Sequence, residues 1–278
     1  MLKRTVTALI ATLVLIPILV FSKTIVLPIA ASIVILISLY EMFNCIGARS
    51  KLEMTVPAYI MGVSVPIYTK VCGDLKGIVP VLCTIMILYL VYLLSVSVLV
   101  FKKYTVYDAA MVFMTSVYII GGVSSIVFLR EMSETNIYLL AFIGAWMTDI
   151  FAYFTGRFFG KHKLCEPISP KKTIEGSIGG IIFCSISFVV FAFINSGMGQ
   201  SIGYYITFAA VGIIASVVSQ VGDLTMSLIK RQYNIKDFGK IFPGHGGRLD
   251  RFDSVIAVAL ILFVILSSLS SFGLITII

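Results

Sequence analysis

Four aspartates stand where an aspartate is expensive. Asp149 interrupts the apolar run AWMTDIFAYF and Asp223 interrupts SQVGDLTMSLIKR, while Asp250 and Asp253 open the last apolar run three residues apart. A carboxylate in hydrocarbon costs ~2.5–3.5 kcal/mol even on lenient insertion scales, so such residues face water, pair with a cation or bind a metal. Spacing gives their direction. Gln220, Asp223, Ser227 and Lys230 fall at i, i+3, i+7 and i+10, and Trp146, Asp149, Tyr153 and Arg157 at i, i+3, i+7 and i+11. Each set is one face of a helix. Asp223 with Lys230 alone reads equally well as a structural ion pair. Adding Asp250 and Asp253 brings three carboxylates to one depth, where they repel unless a divalent cation lies between them. Oxygen-only ligation suits Mg²⁺, which takes one or two carboxylates and leaves its other positions to phosphate and water. No Cys/His spacing competes for zinc.

Phosphate is also what the neighbouring residues favour. In KDFGKIFPGHGGRLDRFD, residues 236–253, Pro243 fixes its φ and the glycines of PGHGG can turn backbone N–H groups toward an anion. Alone, PGHGG reads as a turn. Flanked by Lys230, Arg231, Lys236, Lys240, Arg248 and Arg251, it reads as a phosphate loop. A second anion site is expected in FFGKHKLCEPISPKKTIEG, residues 158–176. There Ser169 and Pro170 read as N-cap and first residue of a short helix, with Lys171, Lys172 and Thr173 in its first turn. His162 reads as a solvated loop residue, and Gly176, Gly179 and Gly180 as allowing close helix packing.

The elements that must position these groups are membrane helices. Hydrophobic residues make up 59% of the 278 and charged ones 12%, about half the charge of an average soluble chain, and the mean hydropathy is +1.06. Runs near the ~20 residues that cross a bilayer are read at 5–21, 24–42, 55–71, 78–100, 106–128, 137–157, 177–196, 203–227 and 255–276. The fold class expected is all-α: a polytopic integral membrane bundle of about nine transmembrane helices. Residues 1–136 hold five spans, and residues 137–278 hold four spans with the two polar loops and the catalytic groups. The first half carries few intramembrane charges, so the chemistry is assigned to the second.

The net charge of +8 could suggest nucleic acid, but the positions of the charges exclude that partner. Of the 21 Lys and Arg, all but Lys23, Lys70, Lys76 and Arg130 fall on one side of the nine spans. This positive-inside bias sets the N-terminus and both polar loops in the cytoplasm, with the first span uncleaved. The five cysteines lack metal or disulfide spacing and read as reduced apolar residues.

SLIKRQYNIKDFGKIFPGHGGRLDRFD, residues 227–253, closely resembles the signature of the phosphatidate cytidylyltransferase, or CDP-diacylglycerol synthase, family. Ser227, Lys230, Arg231, Lys236, Asp237, Pro243, His245, Gly246, Gly247, Asp250, Arg251 and Asp253 stand at signature positions. QVGDL at 220–224 and DIFAYFTGRFFGKHKLCEPISPKKTIEGSIGG at 149–180 resemble further family segments. Two positions depart: Met226 stands where the family commonly has Glu, and Arg248 where it has an aliphatic residue.

The resemblance implies CMP transfer from CTP to phosphatidic acid, with Mg²⁺ required, at a cell-membrane site facing the cytoplasm. It carries the metal ligands onto Asp223 and Asp250, with Asp253 beside them. Lys230, Arg231 and Lys236 are then expected to balance the triphosphate and His245 to donate a hydrogen bond, with Asp237 in the same catalytic set. Lys171, Lys172, Thr173, Gly246, Gly247 and Arg251 are the nucleotide-binding candidates. The acyl chains stay among membrane lipids. A second, monovalent cation and a homodimer are compatible with the chain and not required by it. Two other readings stay open: a CTP-dependent transferase acting on another lipid, such as a CDP-archaeol synthase, and an ion-coupled transporter using Asp149 and Asp223.

Overall fold

The computed structural model describes residues 13, 15–73, 75–133, 135–196, 200–239, 247 and 249–271. The chain folds as helices: α1 (Val26–Cys45), α2 (Leu52–Cys72), α3 (Leu75–Leu99), α4 (Val106–Met132), α5 (Leu139–Phe159), α6 (Ile174–Ser196), α7 (Ile202–Gln232) and α8 (Leu249–Ser271). Between α5 and α6 a ribbon of β1 (Lys163–Cys165) and β2 (Ser169–Thr173) is inserted. All of these helices except α2 are long and apolar enough to cross a membrane, so the protein is a multi-pass, all-α membrane protein. At 21 residues α2 has the length, and it runs unbroken through Pro57 and Pro66, which membrane helices tolerate. The expected first span, 5–21, lies largely outside the described residues.

The residues form two compact units, Met1–Glu131 with Tyr233–Arg251 and Met132–Gln232 with Phe252–Ile278. In the first, α2 packs on α1 and α3. Ser32 Oγ donates to Val63 O at 3.2 Å, and the Tyr89 hydroxyl to Met54 O at 3.1 Å. α1 ends where Gly47 takes φ +68°, and the amides of Ala48 and Arg49 return to Phe43 O. This is the left-handed stop that glycine permits without strain. Near the ends of α2 and α4, Lys51 pairs with Asp108 at 2.5 Å and Lys70 with Glu131 at 2.9 Å.

In the second unit α6 packs against α5 and α7. Small residues set the distance. A Cβ on Gly176 would lie 2.6 Å from Ala152 O and one on Gly180 3.0 Å from Thr148 O, so the backbones of α5 and α6 approach as only glycine allows. The expectation for these glycines holds. Across the seam Thr155 Oγ1 donates to Gly176 O at 3.3 Å, and the rings of Phe151 and Phe183 stack 4.0 Å apart. Thr148 Oγ1 donates to Ser216 Oγ at 2.9 Å, tying α5 to α7.

One local expectation is overturned. Ser169 and Pro170 do not start a helix: residues 169–173 form β2, with Cys165 paired to Ser169 and Lys163 to Thr173. In a two-stranded ribbon every strand is an edge, where a proline without an N–H is tolerated, and Lys163 Nζ donates to Pro170 O at 2.6 Å. The cap is one step later. Thr173 Oγ1 accepts the Gly176 N–H at 3.2 Å, so Thr173 starts α6, with Glu175 in the first turn where a negative charge suits the helix dipole.

Candidate active site

Within the second unit the α7 stripe faces inward, Gln220 buried and Asp223, Ser227 and Lys230 half-buried, whereas the α5 stripe of Trp146, Asp149, Tyr153 and Arg157 lies on an exposed face and does not enter the bundle. On α5 the Arg157 guanidinium donates to the Tyr153 hydroxyl at 2.9 Å. On α7 the Gln220 amide donates to Ser177 O at 3.3 Å. Asp223 lies between Gln220 and Lys230, and its Oδ2 meets Lys172 Nζ of β2 at 2.5 Å, both side chains about a quarter exposed. Asp149 lies in electrostatic range of Asp223 and Lys172. Asp253, 8% exposed, lies in electrostatic range of Asp223, Lys230 and Asp149. Three carboxyl groups therefore gather around two ammonium groups.

This donor set suits a hard divalent ion in its chemistry: carboxylate oxygens only. Among the described residues no group of three His, Cys, Asp or Glu is close enough to hold an ion by itself. An ion here would depend on phosphate and water for the rest of its shell, the usual arrangement for Mg²⁺. Met226, at the position of the family's Glu, is 1% exposed and packs as an apolar residue. Arg231 is exposed, as is Lys171 of β2. Thr173 is committed to capping α6. His162 is exposed as expected, and its Nδ1 lies 2.7 Å from Glu175 Oε1.

In the first unit two carboxylates hold the backbone at Phe238, Gly247 and Leu249. Asp250 Oδ2 accepts the N–H groups of Phe238 and Gly247, each at 3.0 Å. The second bond is half of a capping box, an acidic residue reaching back three positions to the N–H at the helix start. Glu41 is the other carboxylate. Its Oε2 accepts the Leu249 N–H at 2.9 Å, and Gly239 and Gly247 close over it. Lys236, Asp237 and Arg251 are exposed, while Phe238 is buried. Burial and the neighbouring Tyr107 hydroxyl push Tyr233 up to about 12, so it stays protonated at neutral pH. His245 and Gly246 lie outside the described residues, as do Pro243, Lys240 and Arg248.

The sequence pattern groups Asp223 and Lys230 with Asp253, which lie in electrostatic range of one another; it sets Asp149 on a separate stripe and Lys172 in a separate anion site, expects Asp250, here bonded to the amides of Phe238 and Gly247, beside Asp223, and does not single out Glu41. A signal existed: one acidic letter in LISLYEMFNC, residues 36–45, an intramembrane ionisable residue of the kind that marks function by default.

Comparison with known proteins converges on the same chemistry. The chain is 37% identical over 268 residues to the phosphatidate cytidylyltransferase of Staphylococcus aureus (strain COL), an alignment covering 95% of this chain and 98% of the relative. The phosphatidate cytidylyltransferase of Staphylococcus haemolyticus (strain JCSC1435) is likewise 37% identical over the same shares. That of Staphylococcus epidermidis (strain ATCC 12228 / FDA PCI 1200) is 36% identical, again over 95% and 98%. The pattern that defines the cytidylyltransferase family matches residues 2–269. An acid-and-lysine cluster in membrane helices, a carboxylate-stitched glycine segment and a match over nearly the whole length together mean that this chain belongs to the cytidylyltransferase family.

Proposed function

We propose that this chain is a phosphatidate cytidylyltransferase, working in the cell membrane with its polar loops in the cytoplasm. The observation that carries the reading is likeness over 95% of the chain to proteins of that name. A phosphate oxygen of phosphatidic acid attacks the α-phosphorus of CTP. The bond from that phosphorus to the bridging oxygen of the β-phosphate breaks, pyrophosphate leaves with the electron pair, and CDP-diacylglycerol forms. A phosphomonoester has its second ionisation near ~6, so the nucleophile is already a dianion at neutral pH and needs no general base. What remains is charge balance and in-line alignment, the main demands of phosphoryl transfer.

Lys172, Lys230, Arg231 and Lys236 supply that balance, and Gly246, Gly247 and Arg251 receive phosphate oxygens. Asp223 and Asp253 are the side chains proposed to hold Mg²⁺, and the resemblance assigns the same duty to Asp250. When bound, the ion neutralises charge on the CTP phosphates. The bias of Lys and Arg supports the cytoplasmic orientation, where CTP is available, and the acyl chains remain in the bilayer.

Purified protein given CTP, phosphatidic acid and Mg²⁺ is expected to release CDP-diacylglycerol and pyrophosphate one to one. Omitting any component should stop the reaction, and chelation should be reversed by Mg²⁺. Transfer of CMP to an archaeol or polyprenol phosphate in preference to phosphatidic acid would replace the lipid assignment.

A further inference from the structure

Glu41 belongs to no polar stripe and no signature position, yet it is 2% exposed and surrounded on its own helix by Leu39, Met42 and Phe43, each 0% exposed. A carboxylate held among apolar side chains is costly unless something compensates it. It also sits near the C-terminal end of α1, where its own helix dipole is unfavourable. The compensation comes from the start of α8: Oε2 accepts the Leu249 N–H at 2.9 Å from 208 residues away, at the positive end of that helix.

The surrounding backbone has the shape of this carboxylate. A Cβ on Gly247 would lie 2.7 Å from Glu41 Oε2 and 2.7 Å from the backbone nitrogen of Gly239, and one on Gly239 would strike Glu41 Oε1. The flexible end of a glutamate could move aside; the Gly239 nitrogen could not. Asp250 closes the same loop from inside, through Phe238 N and Gly247 N. Glu41 and Asp250 thus hold adjoining parts of one segment, the first from α1 and the second from α8.

We propose that Glu41 is a positioning residue for the transferase reaction, its carboxylate fixing Gly239, Gly247 and the start of α8 against α1 so that the Gly247 backbone meets the CTP phosphates in one geometry. The inference rests on the phosphatidate cytidylyltransferase reading. It explains why a first-half helix carries a buried acid, and it assigns Glu41 no contact with substrate.

The test compares Glu41→Leu, Glu41→Gln and Glu41→Asp with wild type in initial rates at varied CTP and varied phosphatidic acid. Ser32→Ala, in the α1–α2 contact, is the control. Leucine suits the apolar helix but leaves the buried Leu249 N–H without this acceptor, so thermal stability should fall only by a few degrees. Activity should nevertheless fall ~100-fold, the usual cost of misplacing a reacting group by an ångström, with the loss in kcat and in KM for CTP and none in KM for phosphatidic acid. Trypsin should cut the Leu variant faster at Lys236 and Arg251. Glutamine keeps an acceptor oxygen at the same reach and should retain activity within ~10-fold, because the bond from the Leu249 N–H persists and loses only its charge assistance. Aspartate keeps the charge but is one methylene short, and should be worse than glutamine.

Wild-type CTP kinetics in the Leu variant overturn the proposal. If that variant does not accumulate, aspartate matching or exceeding glutamine overturns it instead. An inactive wild type sinks the parent reading rather than this one, and trypsin protection at Lys236 and Arg251 then decides for or against the positioning role by itself.

Discussion

At Asp223, charge rather than shape is the quantity to change. Asp223→Asn keeps the outline of the side chain and removes the acid that Lys172 meets at 2.5 Å. Incorporation of labelled CTP into lipid should fall by ~10²–10³-fold, the size expected when a preorganised electrostatic group is lost. Lys172→Met should raise KM for CTP and, with both partners about a quarter exposed, cost ~1–2 kcal/mol in thermal stability, between the values for surface and buried pairs. The double variant separates the two roles. With neither charge present its stability should return toward wild type while its activity stays lost. A double variant as unstable as the sum of the singles would mean that the pair does not couple.

The same scale shows why part of the site was readable. Asp149, Asp223 and Asp253 announce themselves as acids in apolar runs. Glu41 is one such letter too, but its partner is the backbone N–H of Leu249, and a backbone donor has no letter of its own.

At the scale of elements, hydrophobic run length located the helices because each must cover ~30 Å of hydrocarbon, a demand that the residues express directly. The connection between α5 and α6 has no such demand on it. There a Ser-Pro pair reads as a helix start, and only pairing with residues 163–165 makes it a strand. The competing caps can be tested against each other. Thr173→Ala should cost ~1 kcal/mol of stability by removing the acceptor for the Gly176 N–H, whereas Ser169→Ala should change it by less than ~0.5 kcal/mol. Equal costs would return the helix start to Ser169.

The α5–α6 seam gives a second contrast. Gly176→Ala forces a Cβ to within 2.6 Å of Ala152 O and should destabilise by ~1–3 kcal/mol. Gly203→Ala meets nothing nearer than Ser201 Oγ at 3.7 Å and should be neutral or stabilising. Thermal unfolding in detergent measures both.

For the whole molecule, the topology depends on whether α2 crosses the membrane. It is the helix with two internal prolines and the one outside the set that is long and apolar enough by composition. The distribution of Lys and Arg requires it to cross, because removing one span reverses every loop after it and destroys the bias. Native cysteines provide the probes. Cys72 ends α2 and is exposed, and Cys165 lies in β1 and is half-buried. With nine spans and a cytoplasmic N-terminus, Cys72 faces outward and Cys165 faces the cytoplasm. In single-cysteine variants, a membrane-impermeant maleimide applied to intact cells should label Cys72 and spare Cys165, and permeabilisation should expose Cys165. The opposite pattern would move the catalytic loops away from the compartment that holds CTP. Labelling of both from outside would mean that the number of spans between them is even rather than odd, which a non-crossing α2 alone cannot produce, and would require another helix between Cys72 and Cys165 to stay on one side.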